Sequence, residues 1–113
     1  MLGHVIIENA LMKMGIQAGI QGFDYIVDIL LLLDANPREK WMNLYEKTAN
    51  KYGTTCIRVE RGIRYAFECA RKADACKKEV DHYIGFNYSS NSKSLSKMYL
   101  MLKREAEDEK SNA

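Results

Sequence analysis

The sequence predicts an all-α fold, a compact bundle of about six helices that contains a helix-turn-helix. The 113 residues include a single proline, Pro37, and the glycines cluster near the joints between segments of helical periodicity. No segment alternates apolar and polar residues for long, and no Asn-Gly or Asp-Gly hairpin signal occurs. The length and a hydrophobic content of 47% fit one domain spanning 1–113 with a single core.

The first two helices are predicted from the spacing of their apolar residues. Helix 1 should end at about Met14, because Gly15 suits the positive φ of a helix C-terminus. The linker 15–22 repeats Gly-Ile-Gln but lacks the lysine and hydroxyl of a nucleotide-binding loop, so we expect a structural turn. Helix 2 covers 23–33, and because its second half is apolar all round we expect it at the centre of the fold.

The third and fourth helices are predicted to form the helix-turn-helix, at about 42–72. Asn36 as N-cap, Pro37 at the first helical position and Glu39 resemble a capping box at the start of helix 3. Gly53 ends that helix, and another amphipathic segment follows after Thr54 and Thr55. The predicted buried stripes are Trp41, Leu44, Tyr45, Thr48, Ala49 and Tyr52 on helix 3, and Cys56, Val59, Ile63, Ala66, Phe67 and Ala70 on helix 4.

Two further helices complete the predicted fold. A short one runs from about Cys76 to Ile84, and a polar loop rich in serine and asparagine follows at 88–96. The last helix is predicted from about Leu95 to Glu107, with Leu95, Met98, Tyr99 and Leu102 buried. The acidic tail, about 107–113, is predicted to fray.

Positive charge concentrates on the outer face of helix 4. Between Arg58 and Lys72 there are five basic and two acidic residues, a net +3 against +2 for the whole chain. A basic outer face on the second helix of a helix-turn-helix suits the major groove, where arginine binds guanine and a carboxylate accepts from cytosine. The predicted exposed residues are Ile57, Arg58, Glu60, Arg61, Arg64, Tyr65, Glu68, Arg71 and Lys72.

A solvated salt-bridge surface is the alternative interpretation of this face. Glu60 with Arg64 and Glu68 with Lys72 are i, i+4 pairs in the favourable order. Short helix-turn-helix arrangements also occur in purely structural helical domains. The charge pattern alone therefore leaves both interpretations open.

The residues of this region resemble a known family. Thr54, Thr55, Arg58, Val59, Glu60, Arg61, Ile63 and Arg64 match the T-T-x-x-R-V-E-R-x-I-R core of its recognition helix. The family is the C-terminal DNA-binding effector domain of the sporulation initiation response regulator, stage zero sporulation protein A. The early loop from Gly15 to Phe23 matches a G-I-x-A-x-I-x-G-aromatic pattern, and Gly85-Phe86 resembles the glycine-aromatic pair of the family.

The resemblance implies a six-helix transcription regulator that reads a double-stranded DNA box through the major groove, often as head-to-tail tandem copies. Residues matching Glu60, Arg61 and Arg64 approach base edges in that family. The expected backbone or flanking contacts are Lys51, Thr54, Thr55, Ile57, Arg58 and Tyr65. Any exposed part of the last helix is the natural place for contact with a second protomer or RNA polymerase.

Three residues depart from the family pattern. Ile57 replaces a small polar residue, Gly53 replaces a polar turn residue and Thr48 replaces an aliphatic one. An apolar Ile57 near the groove suits a thymine methyl, which favours a box different from that of the family. Family members normally carry a receiver domain, and 113 residues leave no room for one. We expect either a stand-alone regulator without a phosphorylation switch or an excised effector domain.

Other functional classes find little support in the sequence. Three cysteines without a C-x-x-C pair signal neither a disulfide framework nor a zinc ribbon, which favours a reducing, cytoplasmic compartment. Cys76, Glu79 and His82 lack a fourth metal ligand, and no nucleophile accompanies a recognisable base motif. We therefore predict no enzyme, no metal, no cofactor and no membrane segment. The alternative function is a helical protein-interaction module that has lost DNA affinity and modulates a related regulator.

Overall fold

Six helices follow one another in the computed structural model, which describes residues 1–87 and 90–111. They are α1 (His4–Lys13), α2 (Gln21–Ala35), α3 (Trp41–Tyr52), α4 (Cys56–Lys72), α5 (Lys77–Tyr83) and α6 (Asn91–Ser111). The described residues contain no strand, so the predicted all-α fold is confirmed. The predicted loop at 88–96 includes residues 88 and 89, which lie outside the described residues.

Helix α2 lies at the centre of the bundle, as its apolar sequence predicts. Helices α1, α3, α4 and α6 all pack against it. Burial extends around most of its circumference, since Phe23, Tyr25, Ile26, Val27, Ile29, Leu30 and Leu33 are all buried. Each such side chain contributes roughly 1.5–3 kcal/mol when it is fully removed from water, so this helix supplies much of the core.

Glycines end α1 and α3 where the sequence predicts. Gly15 has a φ of +84° and Gly53 a φ of +61°, in the left-handed region that only glycine adopts without strain. At the end of α1, the Ile16 N–H donates to the Leu11 carbonyl at 3.0 Å, and at the end of α3 the Thr54 N–H donates to Ala49 at 2.9 Å. Both glycines therefore allow the chain to turn while the last carbonyls of the helix keep hydrogen bonds.

The predicted start of α3 is wrong. Asn36 caps the C-terminus of α2, and α3 begins only at Trp41. Glu39 still helps to start the helix, because its Oε1 accepts from the Lys40 N–H at 3.0 Å and from Asn43 Nδ2 at 2.9 Å. The asparagine and proline form a turn between the two helices, because α2 continues further than its predicted end.

Helix α6 is longer at both ends than the sequence predicts. It begins at Asn91 rather than Leu95, because the hydroxyl of Ser90 accepts from the Lys93 N–H at 3.2 Å and acts as a cap. Its C-terminal part is helical through Ser111, so the tail predicted to fray from about 107 is helical over most of its length. Residues 112 and 113 lie outside the described residues.

Asp34 joins the N-terminus of the chain to α2 and α6. Its carboxylate accepts from the Leu2 N–H at 2.6 Å and from the Tyr99 hydroxyl at 2.9 Å, and it lies 3.4 Å from Lys103 Nζ. Burial raises the pKa of the Asp34 carboxyl, but these three donors lower it more, so its pKa lies below its ordinary value. Burial and the bond to Asp34 raise the pKa of Tyr99 to about 12.

Candidate nucleic-acid interface

The predicted helix-turn-helix is present as α3, a turn at 53–55 and α4. One face of α4 is fully covered by the bundle, through Val59, Ile63, Ala66, Phe67 and Ala70. Thr55 caps α4, since its Oγ1 accepts from the Arg58 N–H at 3.2 Å. Because the hydroxyl is an acceptor in this bond, its own proton can donate to a DNA phosphate, as predicted for Thr55.

Helix α4 crosses α2 at two glycines, with the two backbones in contact. A Cβ atom on Gly22 would lie 2.3 Å from the carbonyl oxygen of Gly62 and 2.9 Å from Cβ of Ala66. A Cβ atom on Gly62 would lie 3.0 Å from the ring of Tyr25. Because glycine has no side chain, these two positions allow the helices to lie this close together, and they thereby set the position of α4 in the domain.

The three predicted base-reading residues lie together on the exposed side of α4. Glu60, Arg61 and Arg64 are all exposed. Arg64 Nη2 lies 2.7 Å from Glu60 Oε1, so the i, i+4 pair predicted from the sequence is formed. The other predicted pair, between Glu68 and Lys72, is not among the ion pairs of the described residues.

Apolar and aromatic side chains extend this face on both sides of the charged residues. Ile57 is 61% exposed and Tyr65 is 60% exposed. Exposure of Ile57 near the start of α4 fits the predicted contact with a thymine methyl. Thr54 is half-buried, and its backbone N–H is used at the end of α3.

Two shallow grooves run between the N-terminus of α2 and the helix-turn-helix, and Arg58 lines both. One has a volume of about 390 Å³ and includes Asp24 and Thr54, and the other, of about 460 Å³, includes Arg61. Gln21, the first residue of α2, also lines both grooves. Sequence reasoning missed Gln21, because nothing in the local pattern shows that α2 starts beside the predicted DNA-binding face.

Lys51, predicted to contact the DNA backbone, forms an ion pair with a carboxylate inside the protein. Its Nζ lies 3.1 Å from Oδ1 of Asp28, whose side chain is 8% exposed. The hydroxyl of Tyr52 donates to the other oxygen of Asp28. Burial and this carboxylate raise the pKa of Tyr52 well above its ordinary value. Asp28, which sequence reasoning missed, thus fixes the end of α3 to α2 and partly neutralises Lys51.

Arg71 turns inward, which corrects its predicted place on the outer face of α4. Its Nε donates to the Gly85 carbonyl at 2.8 Å, and its Nη2 donates to Oγ of Ser94 at 2.8 Å. Without Arg71, the segment from Arg58 to Lys72 keeps four basic and two acidic residues on its outer side. Helical projection could not predict this, because it does not show that the backbone carbonyl of Gly85, after α5, lies beside Arg71.

The departures at Thr48 and Gly53 have local explanations. Thr48 is fully buried, and its Oγ1 donates to the Leu44 carbonyl at 2.9 Å, so the buried hydroxyl has a hydrogen-bond partner within its own helix. Gly53 adopts the left-handed conformation that ends α3. Neither change disturbs the helix-turn-helix.

His82, which was considered as a metal ligand, makes a contact between two helices instead. His82 Nε2 lies 3.0 Å from Oε1 of Glu105, which joins α5 to α6. Over residues 1–87 and 90–111, no group of three His, Cys, Asp or Glu residues is placed to hold a metal ion. The same residues include no helix with both the length and the hydrophobicity needed to span a bilayer.

A helix-turn-helix whose second helix is buried on one face and exposes a charged face is the arrangement of DNA-binding domains of the helix-turn-helix class. Comparison with protein families gives a match over residues 7–104 to the family described as "Sporulation initiation factor Spo0A C terminal". The match covers most of the chain, and the chain belongs to this family. The family is a DNA-binding regulatory domain and not an enzyme family, so this chain is a DNA-binding regulator that acts in transcription.

Proposed function

We propose that this chain is a sequence-specific transcription regulator that reads a DNA box by inserting α4 into the major groove. The observation that carries the proposal is the outer face of α4, on which three charged side chains able to bond base edges stand together while the opposite face is buried. In this proposal Glu60, Arg61 and Arg64 contact bases. Lys51, Thr54, Thr55, Ile57, Arg58 and Tyr65 contact the backbone or flank the box.

Arg61 is the strongest candidate for a bidentate contact with guanine. It is exposed, and the described residues offer its guanidinium no ion-pair partner. Glu60 and Arg64, by contrast, bind each other and must rearrange or act together at the groove. A bonded carboxylate and guanidinium can contact a cytosine amino group and a guanine in neighbouring pairs.

Head-to-tail pairing on tandem boxes and contact with RNA polymerase belong to the same proposal. Head-to-tail pairing is what the resemblance to the family implies, and contact with RNA polymerase is proposed for the exposed part of the last helix. Leu100 on α6 is 47% exposed and lies on the helix expected to meet a protein partner. Because the chain acts on DNA, we place its function in the cytoplasm.

Selection of bound sites from a random duplex library tests the proposal directly. We expect one enriched box, bound with an affinity that falls steeply as salt rises in fluorescence anisotropy. Equal affinity for the enriched and a scrambled duplex would refute sequence-specific reading.

Arg61→Ala should weaken binding to the box by about 1–3 kcal/mol and relax discrimination at one base pair. Arg38→Ala is the matched control, because Arg38 is exposed just beyond the far end of α2, roughly 20 Å along that helix from the crossing with α4. A uniform loss across all sequences would make Arg61 a phosphate contact instead.

A protein-interaction module is the second candidate function. It is favoured by the exposure of Ile57 (61%) and Tyr65 (60%) on the same face as the charges, since exposed apolar groups suit a protein partner. Such a module would tolerate the loss of Arg61 and Arg64, and it would select no DNA box from the library.

A further inference from the structure

We propose that Asn91, the first residue of α6, is a positioning residue for the DNA-reading helix α4. Its side-chain Nδ2 donates to the backbone carbonyl of Glu60 at 2.8 Å, across 31 residues of sequence. The side chain is buried, with Asn91 only 4% exposed. The inference rests on the proposed function, because it concerns how a predicted base-reading residue is held.

The chemistry of the contact fixes the orientation of the Asn91 amide. A carbonyl oxygen can only accept, so the atom that faces Glu60 must be the nitrogen rather than the oxygen of the amide. Within α4 the same carbonyl also accepts from the backbone N–H of Arg64, as in any α-helix. The bond from Asn91 therefore holds the one turn of α4 that carries both Glu60 and Arg64.

A second bond from the first turn of α6 restrains the other end of α4. Ser94, one helical turn after Asn91, accepts from Arg71 Nη2 at 2.8 Å. Glu60 and Arg71 are eleven residues apart on α4, roughly 16 Å along its axis. Two hydrogen bonds at that separation oppose rotation of α4 about its axis, and they also oppose its displacement along the DNA major groove in the proposed complex.

The Asn91 bond is better suited to fixing position than to adding stability. Among the described residues, Oδ1 of Asn91 is buried and has no hydrogen-bond partner in the protein. A buried polar atom of this kind offsets much of the gain from the bond at Nδ2. Leucine has nearly the same shape, and Glu60 would keep its helical bond, so we expect Asn91→Leu to fold.

The test compares Asn91→Leu with wild type and with Ser92→Ala. Ser92 lies on the same turn of α6, but its hydroxyl bonds Ser90 rather than α4. Amide hydrogen exchange at Arg64 in the free protein should accelerate several-fold in Asn91→Leu and stay unchanged in the control. Affinity for the selected box should fall about tenfold while affinity for a scrambled duplex stays within about twofold, since a misplaced base contact loses discrimination first.

The outcomes separate this inference from the proposed function. Unchanged exchange at Arg64 would overturn the positioning role, and so would equal weakening on box and scrambled DNA. Wild-type protein that does not discriminate between duplexes would refute the proposed function, whereas the exchange measurement would still decide whether Asn91 restrains α4. If Asn91→Leu does not fold, Asn91→Ala at low temperature provides the same two measurements.

Discussion

Alanine at Gly22 should force α2 and α4 apart, because the two backbones touch at this point. The added Cβ would lie 2.3 Å from the carbonyl oxygen of Gly62 and 2.9 Å from Cβ of Ala66. Restoring ordinary contact requires a shift of about 1 Å, which the rigid helical backbones must make. Unlike a side chain, neither obstacle can rotate away.

The expected cost follows from overpacking and from the weaker dispersion attraction between helices that have moved apart. Overpacking costs typically about 1–3 kcal/mol, and a gap near 1 Å forfeits up to about half of the dispersion energy of each atom pair along the crossing. Alanine regains up to about 1 kcal/mol of helix propensity over glycine. The net expectation for Gly22→Ala is a loss of roughly 2–3 kcal/mol, about 10 °C in Tm for a domain of this size.

Urea unfolding followed by circular dichroism measures this loss, with two alanine variants as controls. Gly62→Ala meets the ring of Tyr25, at 3.0 Å, rather than a backbone atom of the facing helix, so its loss of stability should be smaller than that of Gly22→Ala. A Cβ on Gly19 meets nothing within 4 Å, so Gly19→Ala should lose no stability. A Gly22→Ala protein that unfolds at the wild-type urea concentration would refute the close crossing.

Three further predictions concern the buried charges. Arg71→Met should lower the free energy of unfolding by about 2–3 kcal/mol, because buried carbonyls lose charged donors. The slope of log affinity against log salt should not change, and a decrease near 0.9 would show Arg71 to be a phosphate contact. For Asp34, whose pKa is below its ordinary value of 3.8, the stabilisation is present above that pH and lost as the pH falls through the folded-state pKa. Acid titration of unfolding should therefore show the advantage of wild type over Asp34→Asn at pH 6 and a decrease of that advantage as the pH falls below 3.8. Asp28→Asn should destabilise the fold by about 1–3 kcal/mol, since Tyr52 loses a charged acceptor, and should steepen the salt slope of DNA binding by up to about 0.9 if Lys51 contacts a phosphate.

The features that sequence predicted well have local causes. Gly15 and Gly53 end helices because the backbone conformation required after the last turn favours glycine, whatever surrounds it. The central place of α2 follows from its second half, which is apolar all round in the run from Ile29 to Leu33. The outer face of α4 and its Glu60–Arg64 pair were predictable because both depend only on the period of one helix.

The features that sequence missed depend on competition or on distant partners. The sequence around Asn36 is compatible with a helix start and with a turn. It forms a turn because α2 extends as far as Ala35, so that Asn36 caps the C-terminus of that helix. The sequence did not predict the bonds from Arg71 to Gly85 and from Lys51 to Asp28, because these partners lie 14 and 23 residues away in sequence. No periodicity within a single helix carries that information.

The position of α4 and the chemistry of its outer face depend on different residues. Its position is set from inside the bundle, by the backbone contact at Gly22 and by the bond from Asn91 to the Glu60 carbonyl. Neither contact uses an outward side chain. If α4 reads DNA as proposed, substitutions at Ile57 or Arg61 should therefore change the preferred DNA box without disturbing the fold. Substitutions at Gly22 or Asn91 should instead reduce discrimination between boxes although neither side chain needs to touch DNA, since base contacts tolerate little displacement of the helix that carries them.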